Sequence, residues 1–113
     1  MHELSIVAEV VKTVEKIALE KGLTVIDSLT LQIGEIASVV PKYIEDCYQA
    51  VIDDTMLQKT KLNIEILPAN AICSGCKKVF HFPENKKKCP YCGCMESEII
   101  SGRELFIKEI VGL

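Results

Sequence analysis

Apolar residues recur at helical spacing from Leu4 to Lys21. Leu4, Val7, Val11, Val14 and Ala18 form one stripe, widened by Val10 and Ile17, while Glu9, Lys12, Lys16 and Glu20 take the other side. A stripe with that period predicts an amphipathic helix, and Gly22 directly after Lys21 predicts its end. Met1, His2 and Glu3 are left as a short arm in front of it. Over Val25–Ile33 the period drops to two. Leu29, Leu31 and Ile33 alternate with Ser28, Thr30 and Gln32, as in a half-buried strand. Gly34-Glu35 breaks that strand. Ser38 and Pro41 announce a second helix, Pro being tolerated in a first turn. Its apolar positions Ile44, Cys47, Tyr48, Val51 and Ile52 carry it to about Thr55. Lys61–Leu67 alternates again, with Leu62, Ile64 and Ile66 against Asn63 and Glu65, and Pro68 ends it. A third strand is expected over Glu104–Val111.

Between the last two strands lies a stretch with a different logic. Cys73-Ser74-Gly75-Cys76 and Cys89-Pro90-Tyr91-Cys92 form two C-x-x-C pairs separated by residues 77–88. Four thiolates that converge suit Zn²⁺ in a closed tetrahedral site with Zn–S bonds of about 2.3 Å. Gly75 and Gly93 are expected where a tight knuckle needs unusual backbone angles, and Pro90 stiffens the second turn. Lys77–Phe82 reads as a short strand and Pro83-Glu84-Asn85-Lys86 as a turn, so the metal would tie off a small hairpin. A segment of this size buries too little apolar surface to fold alone, and the metal supplies the missing free energy. With four protein ligands the site keeps no position for water or substrate, so it is structural and not hydrolytic.

The fold that follows is α+β: a small mixed three-stranded sheet with two helices, plus an inserted zinc-ribbon module. Residues 1–70 and 102–113 form the body and 71–101 the insertion. The strand–helix–strand crossover from 25 to 67 favours a parallel pair. The strands flanking the insertion, 61–67 and 104–111, are expected to pair as an antiparallel ribbon.

Composition changes this picture in three places. Six cysteines raise the possibility of disulfides, but the start MHELSIVAEVVKTVEK has no basic opening and no unbroken apolar run. It is not a signal peptide, no stretch is long and apolar enough to span a bilayer, and a reducing cytoplasm is expected, where such pairs are metal sites. The net charge of −3 gives no electrostatic reason to expect nucleic acid. Residues 1–72 carry six lysines against eleven acids, whereas residues 73–103 carry six basic residues against three acids. The run Lys86-Lys87-Lys88 therefore mainly offsets the thiolates of its own module. Of the remaining candidates, Cys94 is expected to be a neighbour that does not bind, Cys47 a small apolar core residue, and His81 a surface or packing histidine, with a role as an extra metal ligand as the sharper alternative.

His2 carries a second reading. A free Met1 amine, the His2 amide nitrogen and the His2 imidazole can chelate one ion through a five- and a six-membered ring, and the Glu3 amide can add a fourth in-plane nitrogen. Such a planar nitrogen set favours Ni²⁺ or Cu²⁺ over Zn²⁺. Taken from the residues alone, an ordinary terminal histidine and a chelate both stay open.

The opening Met1-His2-Glu3-Leu4-Ser5-Ile6 before an amphipathic helix resembles the start of the HypA/HybF family of hydrogenase nickel-incorporation proteins. The likeness continues through Ile33-Gly34-Glu35, Leu62–Pro68 and the cysteine pairs at 73/76 and 89/92 before the terminal strand. What it implies is a nickel metallochaperone and not an enzyme. Ni(II) would be held as transferred cargo at Met1, His2 and Glu3, and structural Zn(II) at Cys73, Cys76, Cys89 and Cys92. The implied partners are the GTPase HypB and the [NiFe]-hydrogenase large subunit, with urease maturation added in some members. Two other classes share the cysteine motif. A zinc-ribbon nucleic-acid or protein adaptor would need a basic face, against the acidic balance. A metalloenzyme would need an open metal position, and the two histidines lie in no catalytic motif. Monomer and dimer are equally compatible with the sequence.

Overall fold

The computed structural model describes residues 2–113. The chain runs α1 (His2–Glu20), β1 (Ile26–Gly34), α2 (Pro41–Val51), β2 (Lys61–Leu67), β3 (Asn70–Cys73), β4 (Val79–His81), β5 (Ser97–Ile99) and β6 (Leu105–Gly112). It divides into two compact units, one of residues 1–32, 39–65 and 106–113, the other of residues 33–38 and 66–105.

In the first unit the apolar stripe of α1 is buried as Val7, Val10, Val11, Val14 and Ala18. Leu4, expected on that stripe, is 43 % exposed. Gly22 ends the helix as its position predicts. Its φ is +72°, Leu23 N–H donates to Ala18 O at 2.8 Å and Gly22 N–H to Leu19 O. These are the paired bonds that satisfy the last carbonyls of a helix. Helix α1 packs on α2, which contributes Ile44, Cys47 and Tyr48 to the core, and Leu29 and Leu31 of β1 complete it. Helix α2 stops at Val51, short of the expected Thr55. Its Pro41 lies in the first turn and Val40 is the N-cap, with no side-chain cap of its own.

Two side chains tie this core to the start of β2. The buried Tyr48 hydroxyl donates to Thr60 O at 3.0 Å, and Thr60 Oγ1 donates to Ile26 O at 2.7 Å. Burial pushes the Tyr48 phenol up to about 12. Tyr48→Phe keeps the ring but leaves a buried carbonyl one partner short. It is expected to lower stability by about 1–2 kcal/mol, seen as a lower urea midpoint with unchanged slope.

The three long strands are ordered β2-β1-β6. Contacts climb together along β1 and β2, with Ile26 against Thr60, Gln32 against Glu65 and Glu35 against Leu67. This is the parallel arrangement that the crossover predicts. Strands β1 and β6 run antiparallel, since Gly34 N–H bonds Glu104 O while Leu113 N–H bonds Val25 O. The expected ribbon of 61–67 with 104–111 is corrected: β1 lies between them. The reason is burial. Six of the nine residues of β1 are buried, and none of β2 or β6, so the strand whose side chains are covered takes the central place.

The second unit has its own three-stranded sheet, ordered β4-β3-β5, with both pairings antiparallel. The sequence predicts only β4 here, within Lys77–Phe82. Strands β3 and β5 are four and three residues long, too short for a period to declare itself. Ala71, Cys73, Phe80 and Cys89 form the core, with Cys76, Phe82, Cys94 and Ile99 packed against it.

Candidate metal centres

Strand β3 delivers Cys73 at its end, and the turn that follows brings Cys76. The second turn brings Cys89 and Cys92. Their four Sγ atoms lie within 4.8 Å of one another, the one such group of possible ligands among the described residues. Cys73 and Cys92 are 3.5 Å apart and Cys76 and Cys89 3.6 Å. A tetrahedral site with Zn–S bonds of about 2.3 Å has sulfur–sulfur edges of about 3.8 Å. The donor set and its spacing fit zinc.

The two turns are copies of one another. Gly75 N–H donates to Cys73 Sγ at 3.3 Å and Tyr91 N–H to Cys89 Sγ at 3.4 Å. Lys77 N–H closes onto Cys73 O and Gly93 N–H onto Cys89 O, both at 3.0 Å. Cys73 N–H reaches Lys78 O and Cys89 N–H reaches Cys94 O, again both at 3.0 Å. This correspondence corrects one expectation about the glycines. The left-handed position is the fifth of each turn, filled by Lys77 (φ 64°) and Gly93 (φ 79°). Gly75 falls elsewhere in the repeat. The same correspondence places Cys94, which matches Lys78 in the first turn. Its carbonyl closes the second turn and its sulfur accepts Glu96 N–H at 3.4 Å, outside the ligand group.

The electrostatics of the four thiols are those of groups sharing one negative site. The N–H groups of Cys76 and Gly75, with the neighbouring thiols, lower Cys73 to about 6, in spite of burial. Cys89 is also lowered, by the Cys92 and Tyr91 N–H groups against its desolvation. Cys92 behaves oppositely. The Cys94 N–H favours its thiolate, but Cys73, burial and the other two cysteines together push it up to about 12. Like charges cannot all form in one place without a cation, and a dication supplies what the last thiolate lacks.

At the other end of the chain, the arm expected at Met1, His2 and Glu3 is not an arm at His2 and Glu3. Met1 lies outside the described residues, and His2 and Glu3 form the first turn of α1. His2 is exposed. The first N–H groups of a helix have no acceptor within it, so the His2 and Glu3 amide nitrogens are free of backbone bonds inside the helix. Ser5 Oγ donates back to His2 O at 2.9 Å. The Glu3 carboxylate does not cap its own helix. It accepts Val40 N–H at 3.3 Å, at the start of α2, where a negative charge meets the positive end of the helix dipole. No sequence signal links residues 37 apart in this way.

Sequence reasoning also passed over the role of Glu35, which enters it only as a strand break and as part of the family likeness. Its carboxylate accepts Ala69 N–H and meets His81. A lone acid after a strand carries no periodicity that would mark it. His81 itself stands outside the cysteine group.

The family described as hydrogenase/urease nickel incorporation, metallochaperone, hypA, matches residues 1–112. The hydrogenase maturation factor HypA of Geobacter metallireducens is 39 % identical over 110 residues, 97 % of each chain. That of Dehalococcoides mccartyi is 36 % identical over 110 residues, covering 97 % of this chain and 92 % of the relative. The fold is similar to the solution structure of the nickel metallochaperone HypA from Helicobacter pylori, with a TM-score of 0.74 at 18 % identity over 98 % of this chain and 97 % of that one. It is also similar to a second HypA solution structure, with a TM-score of 0.77 at 21 % identity over 100 % and 97 % of the two chains. At these identities the structural likeness speaks for the fold alone.

Proposed function

The chain belongs to the HypA family of nickel metallochaperones for hydrogenase maturation, and from that premise we propose that it carries Ni²⁺ at its N-terminus, through Met1, His2 and Glu3, while zinc held by Cys73, Cys76, Cys89 and Cys92 keeps its second metal module folded. The observation that carries this reading is the placement of His2 and Glu3 in the first turn of α1. Their amide nitrogens can lose protons to a metal there without breaking a helix hydrogen bond. The imidazole of an exposed His2 adds a ligand beside them.

The two sites serve opposite needs. Four thiolates around one ion hold it closed, which suits a permanent staple. A site of amine, amide and imidazole nitrogens at an exposed helix start can be dismantled one ligand at a time by an acceptor's thiolates, which suits delivery. Because those nitrogens must shed protons to bind, nickel affinity falls as pH falls. The Glu3 carboxylate, engaged by Val40 N–H, leaves its amide as the group Glu3 offers the metal. In this reading residues 1–70 and 102–113 are the nickel-binding body and 71–101 the zinc module. The protein works in the cytoplasm with the GTPase HypB, supplies the [NiFe]-hydrogenase large subunit and in some settings urease maturation, and catalyses no reaction on a substrate. Among the described residues no helix is long and apolar enough to cross a membrane.

Nickel titration of the wild type, His2→Ala and a version with one residue added before Met1 tests the site, with zinc content followed in parallel. Both altered proteins are expected to lose more than the roughly 10–100-fold that outer-shell changes cost a metal site, with zinc unchanged. If both bind nickel as the wild type does, the N-terminal site is wrong.

A further inference from the structure

His81, at the end of β4, is engaged at both ring nitrogens by groups of the second unit. Nε2 lies 2.7 Å from Glu35 Oε1, and the same oxygen accepts Ala69 N–H at 2.9 Å. Nδ1 lies 3.3 Å from Glu84 Oε2 and also 3.3 Å from the Glu84 amide nitrogen. The His81 carbonyl accepts the Asn85 side-chain amide at 2.8 Å. One imidazole thus joins the turn after β1, the residue that leads into β3, and the loop after β4. The two carboxylates face different ring nitrogens, so the three side chains do not gather round one point.

The arrangement at Nδ1 serves two protonation states. A neutral ring with its proton on Nε2 donates to Glu35 and accepts Glu84 N–H at Nδ1. An imidazolium donates at both nitrogens, to the Glu35 and Glu84 carboxylates, and charge-assisted bonds of that kind are roughly twice as strong as neutral ones. We propose that His81 is a proton-operated latch: as the imidazolium it clamps β4 and the loop of residues 82–88 to the Glu35 turn, and as the neutral ring it gives up the Glu84 carboxylate and loosens that loop. The loop carries Lys86 and Lys87, both held at positive φ (52° and 68°), so the latch governs how the basic run 86–88 is presented.

The charged groups that act on His81 are Glu35, from the turn after β1, and Glu84, from its own loop. Strand β3, paired with β4 so that Asn70 lies opposite His81, offers no ionisable side chain there. The hydrogen bond to Glu35 raises His81 above its ordinary value, against some desolvation. The Ala69 N–H, then His81, hold Glu35 below the usual carboxylate range. The signs give a window. The His81 contribution is complete below the ordinary histidine value of about 6.5 and is lost as pH rises through the raised one. The Glu35 contribution is present above the ordinary carboxylate value and is lost as pH falls through the lowered one. The latch is closed between the two.

The test is a pH titration of zinc-loaded, full-length protein by NMR, following the His81 ring nitrogens together with hydrogen exchange of the Lys87 amide, which bonds Phe82 O within the loop, corrected for its intrinsic pH dependence. The wild type is expected to show a His81 midpoint above that of a free histidine, and Lys87 protection falling with the same midpoint. Glu35→Gln is expected to bring the His81 midpoint down to or below the ordinary value and to move the coupled loss with it. Glu84→Gln, which leaves the Glu35–Ala69 bond in place, lowers the midpoint by less and removes the coupled loss. A wild-type His81 that titrates as a free histidine overturns the latch, as does Lys87 protection that stays flat through the titration, or a midpoint that neither variant moves. None of these readings depends on nickel, so the latch stands or falls apart from the N-terminal site.

Discussion

Chelating zinc, or replacing Cys73 by serine, is expected to unfold residues 70–99 while α1 and α2 stay folded. Residues 70–99 rely on a core cluster of four buried residues, two of which are the cysteines Cys73 and Cys89. Structural zinc in small modules contributes apparent free energies of about 10–16 kcal/mol at neutral pH, more than so small a core can replace. Both knuckles also use their sulfurs as acceptors for backbone N–H groups, so a serine at 73 disturbs the turn as well as the ligand set. The first unit has its own core in Val14, Leu29, Leu31, Ile44, Tyr48 and Leu57. The measurement is an amide spectrum before and after chelation. Signals from β3, β4 and β5 should collapse towards unfolded positions and those from α1 and α2 should persist. Retention of the β3–β5 signals in metal-free protein would sink the staple.

The second large effect is expected at a pair of glycines. Gly102 has φ +98°, and a Cβ there would overlap Ala69 Cα and lie 2.7 Å from Ala69 Cβ. A Cβ on Gly34 would overlap the Gly102 carbonyl and come within 2.8 Å of Arg103 N. Here backbone meets backbone, and no side chain can move aside. Gly102→Ala combines a left-handed conformation with a clash, two of the mechanisms behind the largest single-site losses, and is expected to cost more than about 4 kcal/mol. Gly22 is the control. It is also left-handed, but nothing lies within 4 Å of its Cβ position, so Gly22→Ala costs about 1–2 kcal/mol. Equal losses in the two variants, measured by denaturant unfolding, would show that φ alone matters and that the close approach is unimportant.

Much of this molecule was legible before its coordinates. Helix α1, strands β1, β2 and β6, and the parallel β1–β2 pair follow from periods and from a crossover rule. Those signals are local and repeat many times along an element. The cysteine cluster follows because its spacing is itself the chemistry of the ligand set. Where the repeat was short, reading failed: β3 and β5 have four and three residues, and the knuckle glycines were assigned before the repeat of the two turns could be aligned. The likeness of Met1-His2-Glu3 to a nickel-binding start came from the sequence too. The bond that turns the Glu3 carboxylate to α2 did not.

What the sequence determined by itself, then, is what each segment is: amphipathic helix, half-buried strand, paired thiolates, a histidine in the second position. The tertiary structure decided which strand lies between which. It also decided that Glu3 meets Val40, that Glu35 meets Ala69 and His81, and that Gly34 and Gly102 touch. These partners stand between 34 and 68 residues apart. Over such distances a single acid, histidine or glycine carries no period, and its role is set only when packing brings the chain back on itself.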